Sequence, residues 1–319
     1  MKFVSAITAR RPWQQAVDDL TQQVQSRLRG KHTDLVLAFF HPHFLPHVES
    51  LTEQLRINLA ATHIIGCTAE GVIGLDAEVE HQPAIALLAA ELPGVEITPF
   101  HLNAGDLQPS HDPFWWQTQT GLASDQQACI LLLADPFTIP CAPLVDALSD
   151  ALPQTLLVGA LASGAQQAGQ HRLILDDTIA DEGAVAIVLA GNLRIRAVVS
   201  QGCRPIGEPF TITRADKNIV LELGGRPPLT VLQTLLPTLP AADQQLVRTS
   251  LLIGRVINEY KENFQRGDFL VRPLIGHDPQ SGALAVGDIL RIGQTVQFQL
   301  RDPKAADEDL RAHLARIAL

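Results

Sequence analysis

Two apolar runs of the same kind recur along the chain. Residues 35–40 (LVLAFF) and 130–135 (ILLLAD) are apolar with almost no interruption, the pattern of a strand buried on both faces. Each leads into a Pro-containing loop, HPHFLP or PFTIPCAP, and then into apolar residues at helical spacing. These are Val48, Leu51, Leu55 and Leu59 in the first case, Leu144, Val145, Leu148 and Leu152 in the second. A short apolar strand follows in both and runs into a Gly-flanked turn, HIIGCTAEGVIG from His63 and LLVGALASGAQQ from Leu156, with Gly66 opposite Gly159. The segments AIALLAAELPGVEITPF (84–100) and AVAIVLAGNLRIRAVVS (184–200) complete the series. Each reads as two strands joined by a tight turn, at Leu92-Pro93-Gly94 and Gly191-Asn192.

Matched positions lie 95 residues apart at the first strand (35 and 130), 93 at the glycine (66 and 159) and 100 at the last pair (84 and 184). Any two α/β units share this rhythm, but steady spacing predicts an internal duplication with units at about 30–105 and 125–200. From Gln201 the texture changes. FTIT and NIVLEL read as strands, a helix starts near Pro228, and RGDFLVRPLIGHD, GALAVGDIL and TVQFQLRD read as a meander of short strands. The closing stretch PKAADEDLRAHLARIAL reads as a helix with Asp307 and Glu308 near its start, where the dipole favours them. The expected fold class is α/β (mixed α+β): duplicated αβ units in a layered sandwich with an antiparallel C-terminal part. Buried runs and hairpins both need covered faces, which points to αββα layering.

Composition removes several function classes. With 319 residues, 46% hydrophobic and 18% charged, the chain can bury a large core. Its net charge of -10 and lack of basic clusters argue against nucleic acid or an anionic membrane as partner. No run of apolar residues is long enough to cross a membrane, and Met1 to Trp13 lacks the apolar core of a signal peptide. Cys67, Cys129, Cys141 and Cys203 show no metal or redox spacing, so reduced thiols in the cytoplasm are expected. No cofactor motif is present. His41, His43 and His47 share a Pro loop, but that spacing matches no metal-ligand geometry, and no metal is expected.

The most specific pattern is QGCRPIGEPFTITRADKNIVLELGGRPPLTVL (201–232), which resembles the join between the N- and C-terminal halves of FIST proteins. IGCTAEGVIG and VGALASG resemble the Gly turns of that family's first half, and the strands from Phe269 onward also fit. The resemblance implies residues 1–200 as a FIST N-like region and 201–319 as a FIST C-like region. Family members usually continue with a Cys-Asn-x-Arg-Gly strand and a Gly-rich end that are missing here, so the second region is expected to be incomplete. It also implies a bacterial sensory module that binds a small ligand, such as an amino acid or other small anion, and signals through a separate protein.

The two Gly turns are the leading site candidates. Glycine allows backbone N–H groups to approach a ligand, and Thr68 or Ser163 can add a hydroxyl bond; tight strand–helix packing is the alternative. The expected ligand-binding set is Gly66, Cys67, Thr68, Gly71, Gly159, Ser163, Gly164, Arg204 and Asn218. Arg204 suits a carboxylate, or else an ordinary ion pair, and Asn218 suits a ligand amide or a cap. Trp115 and Trp116 are expected to cover an apolar face between the duplicated units. Three functions follow in order: a non-catalytic ligand sensor, a protein-interaction scaffold, and a hydrolase using Cys67 as nucleophile.

Overall fold

In the computed structural model, residues 1–28, 32–107, 113–261 and 263–317 are described. They divide into two units, Met1–Ala197 and Val198–Leu319. The first unit begins β1 (Lys2–Thr8), α1 (Trp13–Arg27), β2 (Thr33–Phe40), α2 (Val48–Asn58) and β3 (Ala61–Thr68). A short hairpin, β4 (Val72–Gly74) and β5 (Ala77–Val79), precedes β6 (Ile85–Glu91). The pattern then recurs as β7 (Val95–Leu102), α3 (Pro113–Thr120), β8 (Ala128–Ala134), α4 (Cys141–Ala151), β9 (Thr155–Leu161), the hairpin β10 (Leu173–Leu175) and β11 (Thr178–Ala180), and β12 (Ala184–Gly191).

The sheets share one strand order, β1-β6-β2-β3 and β7-β12-β8-β9. β2 and β3 are parallel, as are β8 and β9, because each pair is joined through a crossover helix. β6 and β12 are antiparallel to both their neighbours. One feature breaks the likeness. β10 pairs antiparallel with the outer edge of β3 in the first sheet, whereas β4 and β5 form a ladder of their own.

Side-chain alternation sets the layers. Val36, Ala38 and Phe40 of β2 pack with Val17, Leu20, Leu51 and Leu55 of α1 and α2. Ile130, Leu132 and Ala134 of β8 pack in the same way with Trp116, Leu144 and Leu148 of α3 and α4. The intervening positions, among them Leu35, Ile65, Cys67, Cys129, Leu133, Val185 and Ile187, form one apolar cluster shared by both sheets. The first unit is therefore an αββα sandwich, and continuous apolar runs arise because both faces of these strands are covered.

Three expectations are corrected. Segments 84–100 and 184–200 are not hairpins: β6 and β7 belong to different sheets, and residues 192–200 form no strand. A turn signal marks a reversal but not which sheet receives the next strand. The recurring order also starts at β1 and β7, so the first 28 residues belong to it. Trp116 is buried on the helix side of the second sheet, with Trp115 edge-on at 4.8 Å, rather than between the halves.

The second unit comprises β13 (Cys203–Pro205), β14 (Phe210–Asp216), β15 (Ile219–Leu223), α5 (Pro228–Leu235), α6 (Ala241–Ser250), β16 (Leu251–Val256), β17 (Phe269–His277), β18 (Leu284–Val286), β19 (Thr295–Arg301) and α7 (Pro303–Ile317). Its sheet runs β13-β19-β14-β15-β18-β17-β16 and closes through β16–β19 pairing, all antiparallel, around Ile212, Val220, Ile253, Phe298 and Leu300. The last three strands are not a simple meander, because β18 pairs with β15 and β17 while β19 pairs with β13, β14 and β16.

Gly66 faces Ala38 in the β2–β3 register and Gly159 faces Leu132 in the β8–β9 register. At either position an added Cβ would run into the carbonyl oxygen of that facing residue. Gly66→Ala and Gly159→Ala should each cost roughly 2–3 kcal/mol or more by urea denaturation, while Gly105→Ala, in open space, should be near neutral.

Candidate functional site

The two Gly turns meet at the C-terminal ends of the parallel strands, where α/β proteins ordinarily place ligands. Ala69 donates to the Phe40 carbonyl and Ala162 to the Ala134 carbonyl, both at 2.9 Å, so each turn leaves its strand in the same way. Ser163 N–H donates to the Thr68 carbonyl at 3.0 Å, and Glu70 N–H donates to Ser163 Oγ at 3.1 Å. Gly164 has φ +90°, and a side chain there would strike the Pro42 ring and approach the Glu70 Cα. Of the expected residues, Thr68, Ser163 and Gly164 are thus brought together.

Beside them lies a polar pair not foreseen from the sequence. Asp135, directly after β8, and His171 are 0% and 1% exposed, and His171 Nδ1 lies 2.9 Å from Asp135 Oδ1. Asp135 Oδ1 also accepts from Phe137 N–H at 3.0 Å and Oδ2 from the Thr138 hydroxyl at 2.9 Å. The carboxylate is an acceptor, so Nδ1 is the donor of this bond and Nε2 is left at the far side of the ring. That Nε2 is buried and has no hydrogen-bond partner. The Phe137 ring stacks on the imidazole at 5.6 Å and is itself 48% exposed. The next residue, Arg172, accepts from Thr68 N–H at 3.0 Å, which ties the pair to the turns.

His41 occupies the place after β2 that Asp135 occupies after β8. His41 N–H donates to Ala84 O and Asp135 N–H to Gly183 O, and each side chain accepts from the amide two residues on. Burial and neighbouring His43 hold the His41 imidazole below its ordinary value, against the opposing effect of Glu70. The signal available in the sequence was the pair of X-Pro steps, His41-Pro42 and Asp135-Pro136, after matched strands. His171 has no such mark, lying 36 residues from its partner.

The remaining expected residues have structural surroundings. Cys67 is buried in the layer between the sheets, and burial pushes its thiol up to about 12, away from the thiolate a nucleophile needs. Gly66 and Gly159 are closed by strand contacts, and Gly71 packs on Glu80. Arg204 is not an open fork: it binds Asp243 through both terminal nitrogens, at 3.0 and 2.6 Å, and Asp302 through Nε at 2.7 Å. The bond from Arg204 holds the Asp302 carboxyl below the usual carboxylate range. Asn218 donates to the Val286 carbonyl at 3.4 Å beside the β14–β15 turn. Gln201 donates to Phe269 O and accepts from Val271 N–H, as a strand would. The QGCR residues therefore fasten β17, α6 and the start of α7 within the second unit. Among the described residues no helix is long and apolar enough to cross a membrane, and no three metal-binding side chains converge.

Residues 34–226 match the FIST N domain and residues 228–319 the FIST C domain. The chain belongs to the FIST family. FIST domains are sensory, small-ligand-binding modules of signal transduction. This FIST protein is 40% identical over 275 residues to an uncharacterized protein of Mycobacterium tuberculosis (strain ATCC 25618 / H37Rv), covering 84% of this chain and 68% of that one. It is 34% identical over 312 residues to an uncharacterized protein of Mycobacterium bovis, covering 95% of this chain and 77% of that one.

Two outcomes follow for residues weighed above. The folded protein keeps the Cys67 proton that the unfolded chain releases near pH 9, so this contribution is full below about 9 and is lost as pH rises toward 12. Cys67→Ala should cost about 1 kcal/mol at pH 7 and show a shallower alkaline fall in urea stability, by up to about 1.4 kcal/mol per pH unit. Arg204→Met should lower the stability of the second unit by roughly 2–3 kcal/mol, because Asp243 and Asp302 lose their shared cation.

Proposed function

We propose that this FIST protein is a non-catalytic sensor that takes a small ligand where the 66–71 and 159–164 turns meet, and reports its state to a separate protein. The observation that carries this reading is the unpartnered, buried Nε2 of His171 next to the joined turns. Native interiors rarely leave such an atom unbonded, and those that do commonly serve a ligand or a water. With Asp135 fixing the tautomer, Nε2 suits a ligand N–H or O–H, and backbone amides around Gly164 suit a carboxylate. An amino acid carries both groups. The exposed Phe137 ring stacks on the imidazole face beside that atom, and its movement on ligand binding would supply two conformations that a ligand can discriminate.

The shared strand order, the equal strand exits and the equivalent glycines support a gene duplication behind the two halves of the first unit. The hydrolase reading loses its motive, since Cys67 is buried with a raised pKa. An interaction scaffold keeps a motive of its own in the exposed apolar residues of β9.

Calorimetric titration with amino acids and small organic acids tests the sensor. Binding should weaken roughly tenfold or more in His171→Phe, which fills the space without the acceptor. Phe137→Ala should bind at least as tightly as the wild type, and Arg204→Met should bind normally wherever it folds. Silence across the panel, or full affinity in His171→Phe, would overturn the reading.

A further inference from the structure

The two sheets treat equivalent edges differently. β10 covers the outer edge of β3, but no strand pairs with the outer edge of β9 among the described residues. Ala162 donates to Ala134, and peptide groups alternate sides along a strand, so Leu157, Gly159 and Leu161 turn their N–H and C=O groups away from β8. Natural edges are usually blunted by Lys, Pro or a bulge. Residues 155–161 read TLLVGAL and carry none of these.

On the helix side this edge borders an apolar pocket of about 210 Å³, lined by Leu132, Val145, Leu157, Gly159 and Leu161 among others. Leu161 is 53% and Val145 42% exposed. No charged residue lines the pocket, although the chain carries a net charge of -10.

We propose that β9 pairs antiparallel with β9 of a second copy of this chain, around a two-fold axis through Val158. In this register Leu157 exchanges hydrogen bonds with Gly159 of the copy, the Thr155 carbonyl accepts from Leu161 N–H while Thr155 N–H stays on Leu152 O, and Val158 meets its counterpart. The two four-stranded sheets then run on as one, with Val145, Leu157 and Leu161 of both copies meeting on the helix side. Three observations select a second copy as the occupant. The sister sheet displays an antiparallel strand at the same place. An uncharged strand is complementary to itself under two-fold symmetry, with no charge pattern to select a different partner. Strongly acidic copies repel each other unless they meet through a neutral patch, and this edge is one.

Sedimentation velocity and light scattering of the full chain, from about 1 to 100 µM, test the proposal. The wild type should dimerise. Val145→Lys, which puts an unpaired charge in the seam, and Leu161→Pro, which removes an outward N–H, should each weaken the dimer by roughly tenfold or more. Circular dichroism and melting should show both variants folded. Val158→Cys, under mild oxidation, should give a dimer whose peptide map shows a 158–158 disulfide, and this outcome stands even if the other variants misfold. A monomeric wild type at about 100 µM, a dimer indifferent to both folded variants, or no 158–158 link would overturn the proposal.

Discussion

The apolar layer between the two sheets of the first unit is the constraint from which its other features follow. Leu35, Ile65, Cys67, Leu133, Val185 and Ile187 face one another there. A strand with one face committed to such a layer must cover its other face, and α1 to α4 do so through separate apolar clusters. The strands consequently carry few polar residues, and their crossovers have room only for helices on the outside. The same demand brings β3 against β2 and β9 against β8 closely enough that Gly66 and Gly159 leave no room for a methyl group.

Stacking the two sheets also determines where chemistry can occur. Polar groups cannot sit inside the layer without partners, so they gather at its rim, where strands end and backbone is free to bond across. There Thr68, Glu70 and Ser163 link one turn to the other, and Asp135 is satisfied by His171, Thr138 and the Phe137 amide. A rim this well bonded makes one unbonded nitrogen informative. His171 Nε2, one of several buried side-chain atoms without a partner among the described residues, is the one that adjoins the joined turns.

The second unit teaches a different lesson about motifs. QGCRPIG carries the most specific family pattern in the chain, yet its polar side chains are engaged in holding elements together. Gln201 replaces a strand pairing along β17, and Arg204 neutralises Asp243 and Asp302. A guanidinium whose fork is filled by Asp243 and whose Nε is held by Asp302 already has its charge matched by two carboxylates, and it is not an open site for a small anion. The pattern therefore marks the family through its architecture, while the best-supported ligand chemistry lies in the first unit among residues without a recognisable motif.

Local pattern determined much of this protein. Continuous apolar runs at 35–40 and 130–135, helical spacing after them and the turns at Gly66 and Gly159 were all legible, because each depends on neighbours within a few residues. The αββα layering followed from the need to cover both faces of such strands. What the sequence could not decide was partnership between distant segments. The turn at Leu92-Pro93-Gly94 looks the same whether the next strand returns to its own sheet or crosses to the other, as β7 does. His171 acquires meaning only when β10 docks on β3 and brings it to Asp135. The free edge of β9 likewise exists only because the β10–β11 hairpin pairs with the first sheet instead of the second, a choice made by packing and not by any residue within β9.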